Sequence, residues 1–196
     1  MKKHIVTILL LFFCILSYSQ EEESLEVFTT DSTWIKEIIK FPINFAQDIN
    51  YEGFEDLRFP QGWSNQESPN FWSYVWAWNI NGIEKPSESD LEKNVQLYFD
   101  GLLGLDFYKI NDVKTHKTNA VFIKKGNTQY IGKVKTVDTR YTKLPMTLNV
   151  LVVYYYCETQ KKTIMVFRYS PKPFDNPVWE TLNEVKLRAD ACEFYG

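Results

Sequence analysis

Side chains able to do chemistry are sparse in this 196-residue chain, and their types narrow what it could catalyse. Only two histidines occur, His4 and His116. His116 sits in Val113-Lys114-Thr115-His116-Lys117-Thr118, a polar stretch flanked by lysines. It reads as an exposed loop residue rather than the base of a Ser-His or Cys-His machine. A histidine-rich zinc site is excluded within one chain, and Cys14, Cys157 and Cys192 are too few for a four-thiolate site. No phosphate-binding loop or dinucleotide fingerprint occurs, so no metal and no cofactor is expected. Carboxylates are more numerous: Glu52, Glu55 and Asp56 gather around Gly53. Two well-placed acids suffice for glycoside hydrolysis, but closeness in sequence does not supply that geometry. Solvated turn and strand-edge carboxylates are the expected reading. Aromatic residues give the one positive hint. Trp72, Tyr74, Trp76 and Trp78 recur at every second position, with Trp63 close by, and such a row could line a groove for a sugar, a lipid or a peptide. The competing reading is that the rings fill the core between sheet and helix. It is favoured because Phe71, Val75 and Ala77 offer less bulk on the other face.

The chain's address bears on all of these groups. Lys2, Lys3 and His4 form a basic head before the apolar run Ile5 to Leu16, which is too short to span a bilayer comfortably. Ser17 and Ser19 then place small residues before a cut at Gln20, so residues 1–19 read as a secretory signal peptide. Phe13 precedes Cys14, which argues against lipidation. Cleavage would leave about 177 residues, the size of one domain with its own core. With Lys2 and Lys3 removed from 22 basic residues, against 25 acidic ones, the remaining net charge is −5. A chain this acidic, with dispersed lysines, is a poor nucleic-acid binder. Cleavage also leaves two cysteines, Cys157 and Cys192, in a compartment that permits oxidation, and they are expected to bond to each other.

The elements that must position these groups follow from periodicity. Residues 20–29 are polar and acidic at the start and read as a flexible lead-in, followed by one domain over 30–196. Trp34 to Phe41 fits a strand or a short helix, with its β-branched content favouring a strand, and further strands are expected at Phe54 to Phe59 and Phe71 to Ile80, with a turn at Pro60-Gln61-Gly62. Leu91, Val95, Tyr98, Phe99 and Leu102 recur at helical spacing, which predicts a helix from Ser89 to Leu103, with Ser89 and Glu92 as its capping box. Four strands follow: Asn119 to Lys124, Gln129 to Thr139, Thr147 to Cys157 and Thr163 to Tyr169. Short polar links between them suit antiparallel hairpins. Leu148 to Tyr156 is apolar on both faces and is expected to be a central strand, covered on each side. Asn176 and Pro177 open a second helix, expected from Pro177 to Ala189. Cys192, four helical turns beyond Val178, would then face the sheet beside Cys157.

This order of strands, helix, antiparallel meander and C-terminal helix resembles the PsbP-like fold of photosystem-associated and related extracytoplasmic proteins. Leu57-Arg58-Phe59-Pro60-Gln61-Gly62-Trp63 is similar to the strand, proline and tryptophan turn near that fold's N-terminus. The segments Phe71 to Trp78 and Tyr169 to Trp179 resemble those of uncharacterised exported proteins. The Ser17-Tyr18-Ser19-Gln20 end of the leader is similar to leaders common in Bacteroidota. The resemblance implies an exported compartment and supplies no catalytic residues. The expected fold class is therefore α+β: one twisted antiparallel sheet of about six to seven strands, a central-sequence helix and a C-terminal helix. The expected function is an exported, non-catalytic binding or assembly-accessory domain, periplasmic or extracellular, with an unknown protein or glycan partner and no membrane span after cleavage. The alternatives are a carbohydrate-binding module using Trp63, Trp72, Tyr74, Trp76 and Trp78, and a carboxylate-dependent hydrolase.

Overall fold

The computed structural model describes residues 25–107, 109–110, 113–114 and 117–193. The proposed leader, the first residues after it and His116 lie outside the described residues. In chain order the elements are β1 (Phe28–Thr29), β2 (Ile35–Lys40), β3 (Gly53–Phe59), β4 (Tyr74–Asn81) and α1 (Glu88–Leu102). They continue with β5 (Lys109–Ile110), β6 (Val113–Lys114), β7 (Asn119–Lys124), β8 (Gln129–Val137), β9 (Pro145–Cys157), β10 (Lys162–Ser170), α2 (Val178–Glu184) and β11 (Lys186–Leu187). Seven strands form one twisted antiparallel sheet in the order β2-β3-β4-β10-β9-β8-β7, as expected for an α+β domain. Two small pairs, β1 with β11 and β5 with β6, complete the ladders.

Both faces of the sheet are covered, and the strand period decides what each face buries. On the front, under α1, lie Leu57, Tyr74, Trp76, Trp78, Phe167 and Tyr169, meeting Leu91, Val95, Tyr98 and Phe99 of the helix. On the back, the smaller Val75 and Ala77 join Phe54, Ile164 and Val166, and are covered by Val27, Phe28, α2 and Val185. Large rings towards the helix and small side chains towards the terminal segments give β4 two buried faces. Gly101 lets α1 close against the loop before β3: a Cβ there would stand 1.8 Å from the Phe45 carbonyl oxygen.

Several expectations need correction. The capping box of α1 is Ser87 with Asp90, not Ser89 with Glu92; the Asp90 N–H donates to Ser87 Oγ at 3.1 Å. Glu92 instead accepts the Phe122 N–H at 3.0 Å, satisfying a donor on the free edge of β7. Strand β9 is an interior strand as expected, between β10 and β8, while the middle of the sheet is β10, which joins β9 to the β2-β3-β4 half through β4. The back face of β9 is only part-covered: Leu151 and Val153 are half-buried and Tyr155 is exposed. The C-terminal helix ends at Glu184 rather than Ala189. Val185 turns extended, and Lys186 and Leu187 pair with Thr29 and Phe28. The end of the expected flexible lead-in is accordingly docked, with Val27 fully buried. Cys157 and Cys192 are bonded as expected, with Cα atoms 5.3 Å apart, but a strand and turn bring Cys192 there rather than a continuous helix. Among the described residues no helix is long and apolar enough to cross a membrane.

Candidate functional site: an aromatic cleft beside a buried carboxyl

A cleft of about 370 Å³ opens where β2 and β3 meet the C-terminal end of α1 and two loops. Strands β2 and β3 contribute Glu37, Ile39, Leu57 and Phe59; the helix contributes Tyr98 and Leu102. Phe45 comes from the loop that Gly101 admits. Trp63, Trp72 and Tyr74 form the wall at the start of β4, and Arg140 with Tyr141 closes it from the loop between β8 and β9. A cavity of this size suits one small molecule, and its lining is mostly apolar and aromatic, as in ligand sites generally.

Local chemistry fixes these wall residues. Trp63 stacks on Phe59 with ring centroids 4.4 Å apart, and its carbonyl accepts the Trp72 N–H at 2.8 Å. Trp72 itself takes φ 52, a left-handed turn conformation, just before the strand begins. Tyr141 stands edge-on to both tryptophans, 6.2 Å from Trp63 and 5.8 Å from Trp72. Asp138 organises the loop that carries it, accepting N–H donors from Arg140, Tyr141 and Thr142 at 3.0, 2.9 and 2.8 Å and the Thr142 hydroxyl at 2.9 Å. Burial pushes this carboxyl up, but the hydrogen bonds prevail and hold it below the usual carboxylate value. The loop also caps α1: Arg140 Nη2 donates to the Leu102 carbonyl at 3.0 Å and Thr139 Oγ1 to that of Leu103 at 2.8 Å. These bonds satisfy carbonyls that a helix end leaves open, in a last turn with no basic residue of its own.

Two opposite charges face the cleft. Glu37 on β2 and Arg140 are both exposed, and among the described residues no ion pair joins them. Arg140 uses Nη2 on Leu102, while its Nε and Nη1 bond no group among the described residues.

Beneath the aromatic wall lies Glu55, fully buried, whose Oε2 accepts the Tyr98 hydroxyl at 3.3 Å. Burial pushes its carboxyl up to about 8; Tyr98 opposes this weakly, and the Trp78 indole N–H acts in the same direction although its geometry falls short of a hydrogen bond. Burial thus favours the neutral acid over the carboxylate. In the same front core, the Tyr74 and Tyr169 hydroxyls and the Trp72, Trp76 and Trp78 indole nitrogens have no hydrogen-bond partner among the described residues. Burial drives Tyr74, Tyr98 and Tyr169 well above the ordinary phenol value.

The acid cluster read from the sequence is thus divided. Glu52 is exposed, whereas Glu55 and Asp56 are buried rather than solvated. Adjacent strand residues point to opposite faces, so Asp56 emerges on the back. There it pairs with Arg58 and accepts the Val27 and Phe28 N–H groups at 2.9 and 3.3 Å. Burial raises the Asp56 carboxyl, with Arg58 and the two N–H donors pulling it back. Glu55 and Asp56 do not converge on a shared reacting centre, and neither lines the cleft.

Of the five aromatic candidates, Trp63, Trp72 and Tyr74 line the cleft, while Trp76 and Trp78 are fully buried core rings. Trp72 and Tyr74 are also nearly inaccessible, each at 2 % exposure, so Trp63 is the candidate with a partly open ring. The sequence reading missed Glu37, Phe45, Tyr98, Arg140 and Tyr141. Tyr98 was recognised only as part of a helical apolar face. The Asp138-Thr139-Arg140-Tyr141-Thr142 run carries the signature of a side-chain-closed turn, which marks a shaped loop but not its neighbours. Compared with protein-family models, curated proteins and solved structures, the chain matches none.

Proposed function

We propose that this protein is an exported, non-catalytic binding domain whose working site is the aromatic cleft between β2, β3, the end of α1 and the Asp138 to Leu144 loop. The observation that carries this reading is the cleft itself: about 370 Å³ walled by rings, with Trp63 and Tyr141 partly open to it. Its loop is latched at both ends, so the wall is preformed. The Cys157–Cys192 disulfide supports residence in an oxidising compartment, in agreement with the leader-like N-terminus.

The rival readings are weakened by particular residues. A planar glycan platform needs exposed, coplanar rings, but Trp72, Trp76 and Trp78 are buried. A two-carboxylate hydrolase needs acids flanking one bond, but Glu55 and Asp56 lie on opposite faces of β3. The test is a small-fragment screen by NMR, following assigned indole N–H signals. Ring-containing fragments are expected to shift Trp63 and leave the Trp76 and Trp78 signals in place. A screen in which no fragment moves Trp63 would remove the binding reading.

A further inference from the structure

We infer that the cleft takes a small zwitterion with an apolar body, of the chemistry of a free amino acid with an aromatic or branched side chain. The inference rests on the binding reading above and adds the charge of the ligand. It starts from the two charged groups at the cleft, Glu37 and Arg140. Among the described residues Glu37 has no hydrogen-bond or ion-pair partner, and Arg140 makes only its bond from Nη2 to Leu102. They face one cavity without neutralising each other. A simple anion would gain Arg140 but meet Glu37 as a like charge; a simple cation would gain Glu37 and meet Arg140. A neutral apolar ligand would cover the rings and leave both charges partly desolvated without compensation. A ligand carrying both signs gains from both groups at once.

Wall chemistry sets the rest of the ligand. Trp63, Tyr141, Phe45, Phe59, Ile39 and Leu102 offer ring faces and aliphatic surface, which suit an apolar side chain. After the bond to Leu102 the guanidinium keeps four N–H groups, one of them still on Nη2, with which to donate to a carboxylate. Glu37 is the charged acceptor available to an ammonium. The volume matches one residue-sized molecule rather than a long chain.

The experiment is calorimetric titration of the purified chain with L-phenylalanine, phenylalaninamide, 3-phenylpropionate and 3-phenylpropionamide, which share a ring and differ in charge. L-phenylalanine is expected to bind at least about tenfold more tightly than each analogue, the scale of one charge-assisted hydrogen bond. Glu37→Gln should erase its advantage over 3-phenylpropionate, and Arg140→Gln its advantage over phenylalaninamide. Both residues are exposed, so these variants are expected to fold, and circular dichroism checks that. Equal affinity for all four ligands overturns the charge inference while leaving the binding reading intact. Loss of preference in neither variant also overturns it. If no ligand binds and the Trp63 indole signal stays fixed, the binding reading falls and this inference with it.

Discussion

Glu55 shows how one residue can be legible as a type and illegible as a role. The sequence placed it among acids near Gly53, where solvation was the ordinary expectation. The fold instead turns it inward beneath Trp78 and Tyr98, because it shares the strand parity of Leu57 and Phe59. Parity was visible in Phe54 to Phe59, but which face would be covered was not, since both faces of β3 are buried. Its carboxyl, pushed up to about 8 from an ordinary 4.5, holds a proton in the folded chain that the unfolded chain releases. The stability this contributes is complete below about pH 4.5 and is lost as pH rises towards about 8. Asp56 is shifted in the same direction and adds to the slope. Urea unfolding of wild type between pH 5 and 8 should show falling stability, and Glu55→Gln should show a shallower fall. Parallel curves for the two proteins would contradict a buried, protonated Glu55.

At the scale of elements, strand and helix identity followed from periodicity, whereas ends and neighbours depended on partners distant in sequence. Helix α1 was readable from Leu91, Val95, Tyr98 and Phe99, yet its start was misplaced by two residues because Ser87 and Ser89 offer competing capping boxes. Helix α2 was read too long because Val185 and Ala189 continue its spacing, but pairing of Lys186 and Leu187 with β1 overrides helical continuation. The cleft shows the same limit. Its rings come from five separate segments, and only the strand row advertised itself. The Asp138 loop gives a test at this scale. Asp138→Ala removes four hydrogen bonds that shape the turn carrying Arg140 and Tyr141, and leaves their N–H groups to find other partners. A loss of about 1–3 kcal/mol is expected from the unsatisfied groups. Hydrogen exchange should rise in residues 139–144 and at the end of α1, whose Leu102 and Leu103 carbonyls this loop caps. Unchanged exchange there would mean that the loop is held by ring packing alone.

For the whole molecule, the decisive feature is that the two ends of the described chain close the back of the sheet together. Strand β1 pairs with β11, Arg188 donates its N–H to the Val27 carbonyl at 2.9 Å, and Asp56 anchors Val27 and Phe28 from the sheet side. The disulfide adds a covalent tie from β9 to Cys192, just beyond that pair. None of these contacts is local, which explains why parity and compartment predicted the bond while the route of the chain to it was misread. The closed segment spans 35 residues, so the chain-entropy model gives about 3–4 kcal/mol for the cross-link. Opening it should not loosen the sheet evenly. The front core of Trp76, Trp78, Phe167 and α1 makes no use of the terminal segments, whereas Val75, Ala77, Ile164 and Val166 depend on them for cover. Replacing Cys157 and Cys192 together by serine should therefore lower global stability by about that amount. Hydrogen exchange should become fast first at Lys186–Leu187, at Phe28–Thr29 and in Val178–Glu184, with β4 and β10 protected until global unfolding. Because the cleft lies on the front, the serine variant should still shift its Trp63 signal with the same fragments as wild type. Uniform loss of protection across both faces would refute the division of the molecule into a self-sufficient front and a clamped back.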